Sequence, residues 1–253
     1  MAADVQAVRT QLDPHLVTVL RPGSFEAEQY RRLRQYVERV RAERGVRVVA
    51  VTSAVASDGK TVTAVNLAIA LAESPDARVL LIDADLRCPS VMRTLGGNAE
   101  QGGGLAAALE SRATDIQKYV RETGLDNLSV LPSGRKPGAS YELLASPHLS
   151  VLFHQLWQQY TFVIVDTPPL TAVADTTLLA RVIDGYLVVV AAHSTPRKLL
   201  GEALNMLEPA SVLGMVYNRD DQPLFSYYRN SYQRYFDAET ASDQPSASMR
   251  SSS

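Results

Sequence analysis

Six short apolar runs punctuate the chain, and longer segments of helical periodicity separate them. The runs fall at residues 46–52, 78–82, 128–131, 161–166, 185–192 and 212–217. Each is four to eight residues long, rich in Val, Ile and Leu, and closed by a polar turn, which reads as a buried strand. Between them lie helical patterns. One starts at Ser24 as N-cap, with Glu26 in its first turn, and runs to about Glu43; Tyr30, Leu33, Val37 and Val40 share a face. A second follows Gly59-Lys60-Thr61 through Leu67, Ile69 and Leu71. A third covers 141–159 with a break at Pro147, and a fourth covers about 196–207. Strands alternating with helices predict an α/β fold, a three-layer sandwich with a mostly parallel central sheet and helices on both faces. Ligands of such sheets sit beyond the carboxyl ends of the strands.

The pattern also sets boundaries. Residues 1–23 carry the breakers Pro14, Pro22 and Gly23 and read as a flexible N-terminal arm. Residues 24–219 hold the periodic pattern and form the predicted domain. Within it, 96–104 contains five glycines and reads as a mobile loop. From Asp220 the pattern dissolves into a tail, 220–253, first rich in tyrosine (Tyr227, Tyr228, Tyr232, Tyr235) and then in serine, with a composition that predicts disorder.

Composition narrows the class. An apolar share of 46% with 21% charged residues describes an ordinary globule. With 25 basic and 27 acidic residues, the net charge of −2 supplies no field for nucleic acid, which is not expected as a partner. The single cysteine, Cys88, excludes an internal disulfide and reads as a small packed residue. No apolar run approaches a membrane span, and the N-terminus lacks a basic-then-apolar signal, so a cytoplasmic location is expected. The four histidines are scattered without metal-ligand spacing.

The candidate chemistry lies where the strands end. Strand, polar turn, Gly59-Lys60-Thr61 and helix form the order of a phosphate-binding loop, here residues Ser57, Asp58, Gly59, Lys60, Thr61 and Val62. Backbone amides at the helix start face the phosphates, Lys60 reaches the β- and γ-phosphates, and the Thr61 hydroxyl suits Mg²⁺. The strict pattern asks for Gly where Ala54 stands. Asp83 and Asp85 follow the second strand at i and i+2; that spacing points both carboxylates the same way and suits a Mg²⁺ site, or a metal ligand beside a general base. Asp166 closes another apolar strand in the Walker B manner, holding Mg²⁺. Asn218 and Arg219 stand at the equivalent place after the last strand, where they would meet the nucleotide base. Asp175 caps the following helix and carries no expected chemical role. Glu28, Arg31 and Arg34 share a helix face that by itself reads as solvated and salt-bridged.

Together the Gly59-Lys60-Thr61 loop, the Leu-Ile-Asp-Ala-Asp-Leu-Arg-Cys-Pro segment ending at Pro89, the Val-Ile-Val-Asp-Thr-Pro-Pro segment ending at Pro169 and the tyrosine-rich tail resemble the cytoplasmic domain of bacterial protein-tyrosine kinases, the BY-kinases of capsule and exopolysaccharide synthesis. These are similar in fold to the MinD/ParA ATPases. The resemblance covers about residues 24–236. The family's loop is commonly richer in Pro and Gly where Ala56 and Ser57 stand, which implies that Ser57 takes a backbone conformation that glycine adopts freely, at a cost of about 1–2 kcal/mol. It implies an ATP- and Mg²⁺-dependent tyrosine autokinase that phosphorylates its own tail in trans. It implies Lys60, Asp83, Asp85 and Asp166 as the catalytic set, with Thr61, Asp83, Asp85 and Asp166 toward the metal. Asp83 or Asp85 would assist deprotonation of the phenol, and Arg87 would join the nucleotide-binding set. Tyr227, Tyr228, Tyr232 and Tyr235 would be the acceptors, and Glu28-x-x-Arg31-x-x-Arg34 would match an oligomerisation signature. The implied partners are other copies of the chain, a transmembrane activator or polysaccharide co-polymerase on a separate polypeptide, and a cognate tyrosine phosphatase. The location would be peripheral to the inner membrane through that activator. The alternatives are a positioning ATPase, disfavoured because such proteins carry a signature lysine near Ala54 and lack a tyrosine tail, and a nucleotide-binding scaffold without kinase activity.

Overall fold

A computed structural model describes residues 12–98 and 103–220. One helical turn, α1 (Val17–Leu20), precedes the long α2 (Phe25–Arg44). There follow β1 (Val48–Ser53), α3 (Lys60–Ala72), β2 (Val79–Asp83), α4 (Val91–Thr94) and α5 (Leu105–Glu110). The second half contains β3 (Arg121–Glu122), β4 (Leu128–Leu131), α6 (Ser140–Ala145), α7 (His148–Gln159), β5 (Phe162–Asp166), α8 (Asp175–Leu179), β6 (Gly185–Ala191), α9 (Arg197–Asn205) and β7 (Val212–Asn218).

The seven strands form one sheet in the order β3-β4-β2-β5-β1-β6-β7. All pairs are parallel except β3 with β4. The apolar runs lack polar alternation because both faces are covered: every residue of β1, β2, β5 and β6 is buried. Successive side chains feed two cores. Val48 and Ala50 pack with Leu105, Leu144, Leu152 and Phe153 on one face, while Val49 and Val51 pack with Val37, Val40, Leu67 and Leu71 on the other.

Helix α2 starts as the sequence implies. The Ser24 hydroxyl accepts from the Ala27 amide at 3.1 Å, Glu26 and Glu28 occupy the first turn, and Gly45 closes the helix at φ 72°. Its Tyr36 hydroxyl donates to the Leu213 carbonyl, tying the helix to the edge strand β7. Helices α6 and α7 are separated at Pro147, as predicted.

Two expectations change. Residues 12–23 are not a loose arm: Leu16 is fully buried, the Asp13 amide donates to the Thr94 carbonyl at 3.0 Å, and the Thr18 hydroxyl donates to Asn66 at 2.9 Å. One apolar turn between prolines is too short to show periodicity, yet Leu16 and Val17 are buried against the fold. Helix α5 follows directly on the glycine-rich stretch, with Leu105, Ala106, Ala108 and Leu109 buried. Cys88 is exposed, not packed. The tyrosine cluster Tyr227, Tyr228, Tyr232 and Tyr235 lies outside the described residues. Among the described residues, no helix is long and apolar enough to cross a membrane.

Candidate active site

The ends of β1, β2, β5 and β7 bring the sequence-predicted residues to one edge of the sheet. After β1 the chain turns through Ser57, whose φ of 68° lies in the left-handed region, and Gly59, at φ 94°. A side chain at Gly59 would collide with the Asn218 amide, since a Cβ there falls 2.0 Å from its nitrogen. Asn218 thus lies against the phosphate loop and donates to the Asp58 carbonyl at 2.9 Å. Asp58 is itself buried and accepts from the Thr195 hydroxyl at 2.9 Å. Val62 sits half-buried in the first turn of α3. Arg219 follows at φ 58°, its amide donating to the Asn218 side chain at 3.0 Å.

Lys60 and Thr61 open α3 and point at the carboxylates. The Lys60 ammonium donates to Asp85 at 3.1 Å and lies 3.8 Å from Oδ1 of Asp166. The Thr61 hydroxyl donates to Oδ2 of Asp166 at 2.7 Å and meets the Ser90 hydroxyl at 2.9 Å. Asp83, Asp85 and Asp166 are 0%, 3% and 0% exposed, so their charges are felt nearly unscreened. Burial, and then Asp166, push Asp83 up to about 8, against the Val91 amide. Burial pushes Asp166 up to about 6, against Lys60 and Thr61. Burial alone would lower Lys60, but Asp166 and Asp85 outweigh it and hold the ammonium above its ordinary range.

The two aspartates at the end of β2 engage different partners. The strand ends at Asp83, whose carboxylate turns back to accept from the amides of Ser90 and Val91, both at 3.0 Å, and of Asp85 at 3.3 Å. Asp85 instead reaches Lys60. Asp83 and Asp166 are register partners on neighbouring strands, and Lys60 lies between Asp166 and Asp85; among the described residues, no three His, Cys, Asp or Glu side chains are grouped to hold an ion. The remaining donors still suit Mg²⁺. They are hard hydroxyl and carboxylate oxygens, and the buried Oδ1 of Asp166 makes no hydrogen bond. Mg²⁺ keeps most of its ligands as water and phosphate and needs only one or two carboxylates.

Arg87 departs from its expected role. Its guanidinium forms a bidentate pair with Asp175, at 2.8 and 3.0 Å. Asp175 is the residue that sequence reasoning missed; an aspartate at a helix start looks like any cap, and its burial is a tertiary property. The signature face of α2 is engaged within the chain. Arg31 pairs with Glu28 at 3.5 Å and Glu73 at 3.3 Å. Arg34 pairs with Glu38 at 2.8 Å, lies 3.6 Å from Glu73 and donates to the Ala70 carbonyl at 3.1 Å.

Comparison with known proteins agrees with this geometry. The family model described as an AAA domain matches residues 46–207. The tyrosine-protein kinase YwqD of Bacillus subtilis is 33% identical over 211 residues, covering 83% of this chain and 87% of that protein. The succinoglycan biosynthesis transport protein ExoP of Rhizobium meliloti is 31% identical over 249 residues, covering 91% of this chain but 31% of its own length. The kinase domain of the Escherichia coli tyrosine kinase ETK superposes with a TM-score of 0.75 at 28% identity, covering 84% of each chain. A phosphate loop, a carboxylate-lined strand edge and these relatives converge: the chain belongs to the AAA-domain family and, within it, to the bacterial tyrosine-protein kinases.

Proposed function

We propose that this protein is an ATP- and Mg²⁺-dependent tyrosine autokinase whose substrate is its own tail. The observation that carries the reading is the convergence of Lys60, Thr61, Asp85 and Asp166 at the strand edge from which the tail departs. Asn218, the last residue of β7, touches the phosphate loop itself. Tyr227 lies nine residues further on, and at about 3.6 Å per residue the intervening chain reaches roughly 30 Å. That span brings the tyrosines to this site or to a neighbour's.

In this scheme the amides of 57–61 and the Lys60 ammonium bind the β- and γ-phosphates. Thr61 and Asp166, with Asp85 beside them, would hold a Mg²⁺ ion, whose charge would offset that of the phosphates. Asp83 fixes the turn that carries Asp85. When Lys60 engages phosphate, Oδ2 of Asp85 is released to accept the phenol proton. The phenolate oxygen then bonds to the γ-phosphorus as the bond to ADP breaks. A phenol of pKa about 10 needs that assistance near neutral pH. Asp85 is favoured over Asp83 as base because Asp83 is committed to three amides.

Transfer runs in trans within a homo-oligomer built on Glu28, Arg31 and Arg34, which exchange their contacts to Glu73 for a neighbour's acidic groups. Each tail phosphate adds about −1.5 to −2 charge, repels the acidic site and loosens the assembly. Relatives named for kinase activity and for succinoglycan biosynthesis transport support a role in capsular or exopolysaccharide synthesis and export. The activator is a membrane co-polymerase that holds the protein at the cytoplasmic face of the inner membrane, and a tyrosine phosphatase resets the tail. The test mixes a Lys60→Met chain bearing an intact tail with an active chain whose four tail tyrosines are Phe. Phosphotyrosine on the Lys60→Met chain is expected. Phosphorylation of the unaltered chain alone, with none in the mixture, would show transfer in cis.

A further inference from the structure

The start of α8 grips both loops that carry the site carboxylates. Asp175, its first residue, is 0% exposed and holds Arg87 through two parallel hydrogen bonds. Arg87 stands two residues beyond Asp85. Thr176, the next residue, is also buried and donates its hydroxyl to the Pro168 carbonyl at 3.0 Å. Pro168 stands two residues beyond Asp166. Its carbonyl is shared with the Thr52 hydroxyl at 3.2 Å, at the end of β1. Adjacent residues of one short helix thus bind, on one side, the loop of Asp85 and, on the other, the loop of Asp166.

Stability does not account for this arrangement. Desolvating a carboxylate completely is costly, and apolar replacements of buried ion pairs are often neutral or stabilising. A bidentate Arg–carboxylate fork does fix geometry, because both nitrogens must meet both oxygens in one plane. Arg87 is 42% exposed at its side chain, so only its paired edge is held, and the turn 84–90 is anchored through it. Asp85 lies in that turn, accepting from the Cys88 amide at 3.0 Å.

We propose that Asp175 and Thr176 are positioning residues that set the spacing between Asp85 and Asp166, acting through Arg87 and Pro168. They touch neither nucleotide nor metal. They fix where the two carboxylates stand when Mg²⁺ and phosphate arrive. The inference rests on the kinase reading of the site.

The experiment compares wild-type protein with Asp175→Asn, Arg87→Lys, Thr176→Val and the Arg87→Lys/Asp175→Asn pair. Asp175→Asn keeps shape and loses charge; Arg87→Lys keeps charge, loses the fork and changes a half-exposed side chain that leaves the fold intact. Mg²⁺-dependent ADP binding is measured by calorimetry without turnover, beside autophosphorylation rate and thermal unfolding. Each single variant is expected to need about 10-fold more Mg²⁺ for half-saturation, the scale of lost outer supports at metal sites. ADP affinity in EDTA stays at the wild-type value, and the pair behaves no worse than its worse member, as coupled residues do. Unchanged Mg²⁺ dependence in both Asp175→Asn and Arg87→Lys, or a lowered melting temperature with unchanged Mg²⁺ dependence, overturns the proposal. If the wild type binds Mg²⁺ and ADP but forms no phosphotyrosine, the kinase reading falls while the positioning role is still decided. If it shows no Mg²⁺-dependent binding, both fall.

Discussion

Ser57 holds a left-handed backbone conformation, φ 68°, at an exposed position in the phosphate loop. An L-residue there pays about 1–2 kcal/mol that glycine does not. Glycine brings its own penalty of about 0.5–1 kcal/mol through the entropy of the unfolded chain. The difference leaves Ser57→Gly more stable by about 0.5–1 kcal/mol, which for a domain of this size raises the melting temperature by about 1–4 °C. Ser57→Ala is the control: it removes the hydroxyl, keeps the strain, and as a surface change should stay within about 0.5 kcal/mol of wild type. Thermal unfolding followed by circular dichroism measures both. Because both variants keep every backbone amide of 57–61, nucleotide affinity should change little in either. A Ser57→Gly protein that melts at or below the wild-type temperature, with Ser57→Ala unchanged, would refute the strain assigned to this loop.

Other outcomes follow from the same contacts. Tyr36→Phe removes the bond from α2 to the Leu213 carbonyl and should cost about 0.5–1.5 kcal/mol in denaturant unfolding, with catalysis untouched. Thr195→Val removes the hydroxyl that donates to Oδ1 of the buried Asp58; a stranded acceptor costs about 1–3 kcal/mol, and weaker nucleotide binding should accompany it in calorimetry. Arg31→Ala/Arg34→Ala should abolish an oligomer that light scattering finds for the dephosphorylated wild type, and full phosphorylation should do the same; one mass for all three samples counts against the clamp. Because exposed ion pairs contribute only about 0–1 kcal/mol each, that oligomer should also dissociate as salt is raised.

The sheet was legible because its strands are buried on both faces, so 46–52, 161–166 and 185–192 stand out as uninterrupted apolar runs. The phosphate loop was legible because its chemistry is local: Gly59, Lys60 and Thr61 are adjacent, and the left-handed backbone at Ser57 is what the family resemblance implied there. What stayed hidden depends on distant partners. Asp175 and Arg87 are 88 residues apart, and nothing local separates a buried partner from a cap. Asp83 and Asp85 engage different partners because β2 ends at Asp83, two residues before Asp85, so the i, i+2 spacing does not run along a strand. Leu16 and Val17 were hidden because a single docked turn has no period to read.

The central claim is that the chain transfers phosphate from ATP to its own tail tyrosines through Lys60. Its most direct test is incubation of purified, dephosphorylated protein with ATP and Mg²⁺, followed by mass mapping of phosphotyrosine. The account predicts phosphate on Tyr227, Tyr228, Tyr232 or Tyr235, lost with EDTA and in Lys60→Met. ATP hydrolysis without phosphotyrosine, or tail phosphorylation that persists in Lys60→Met, would contradict it.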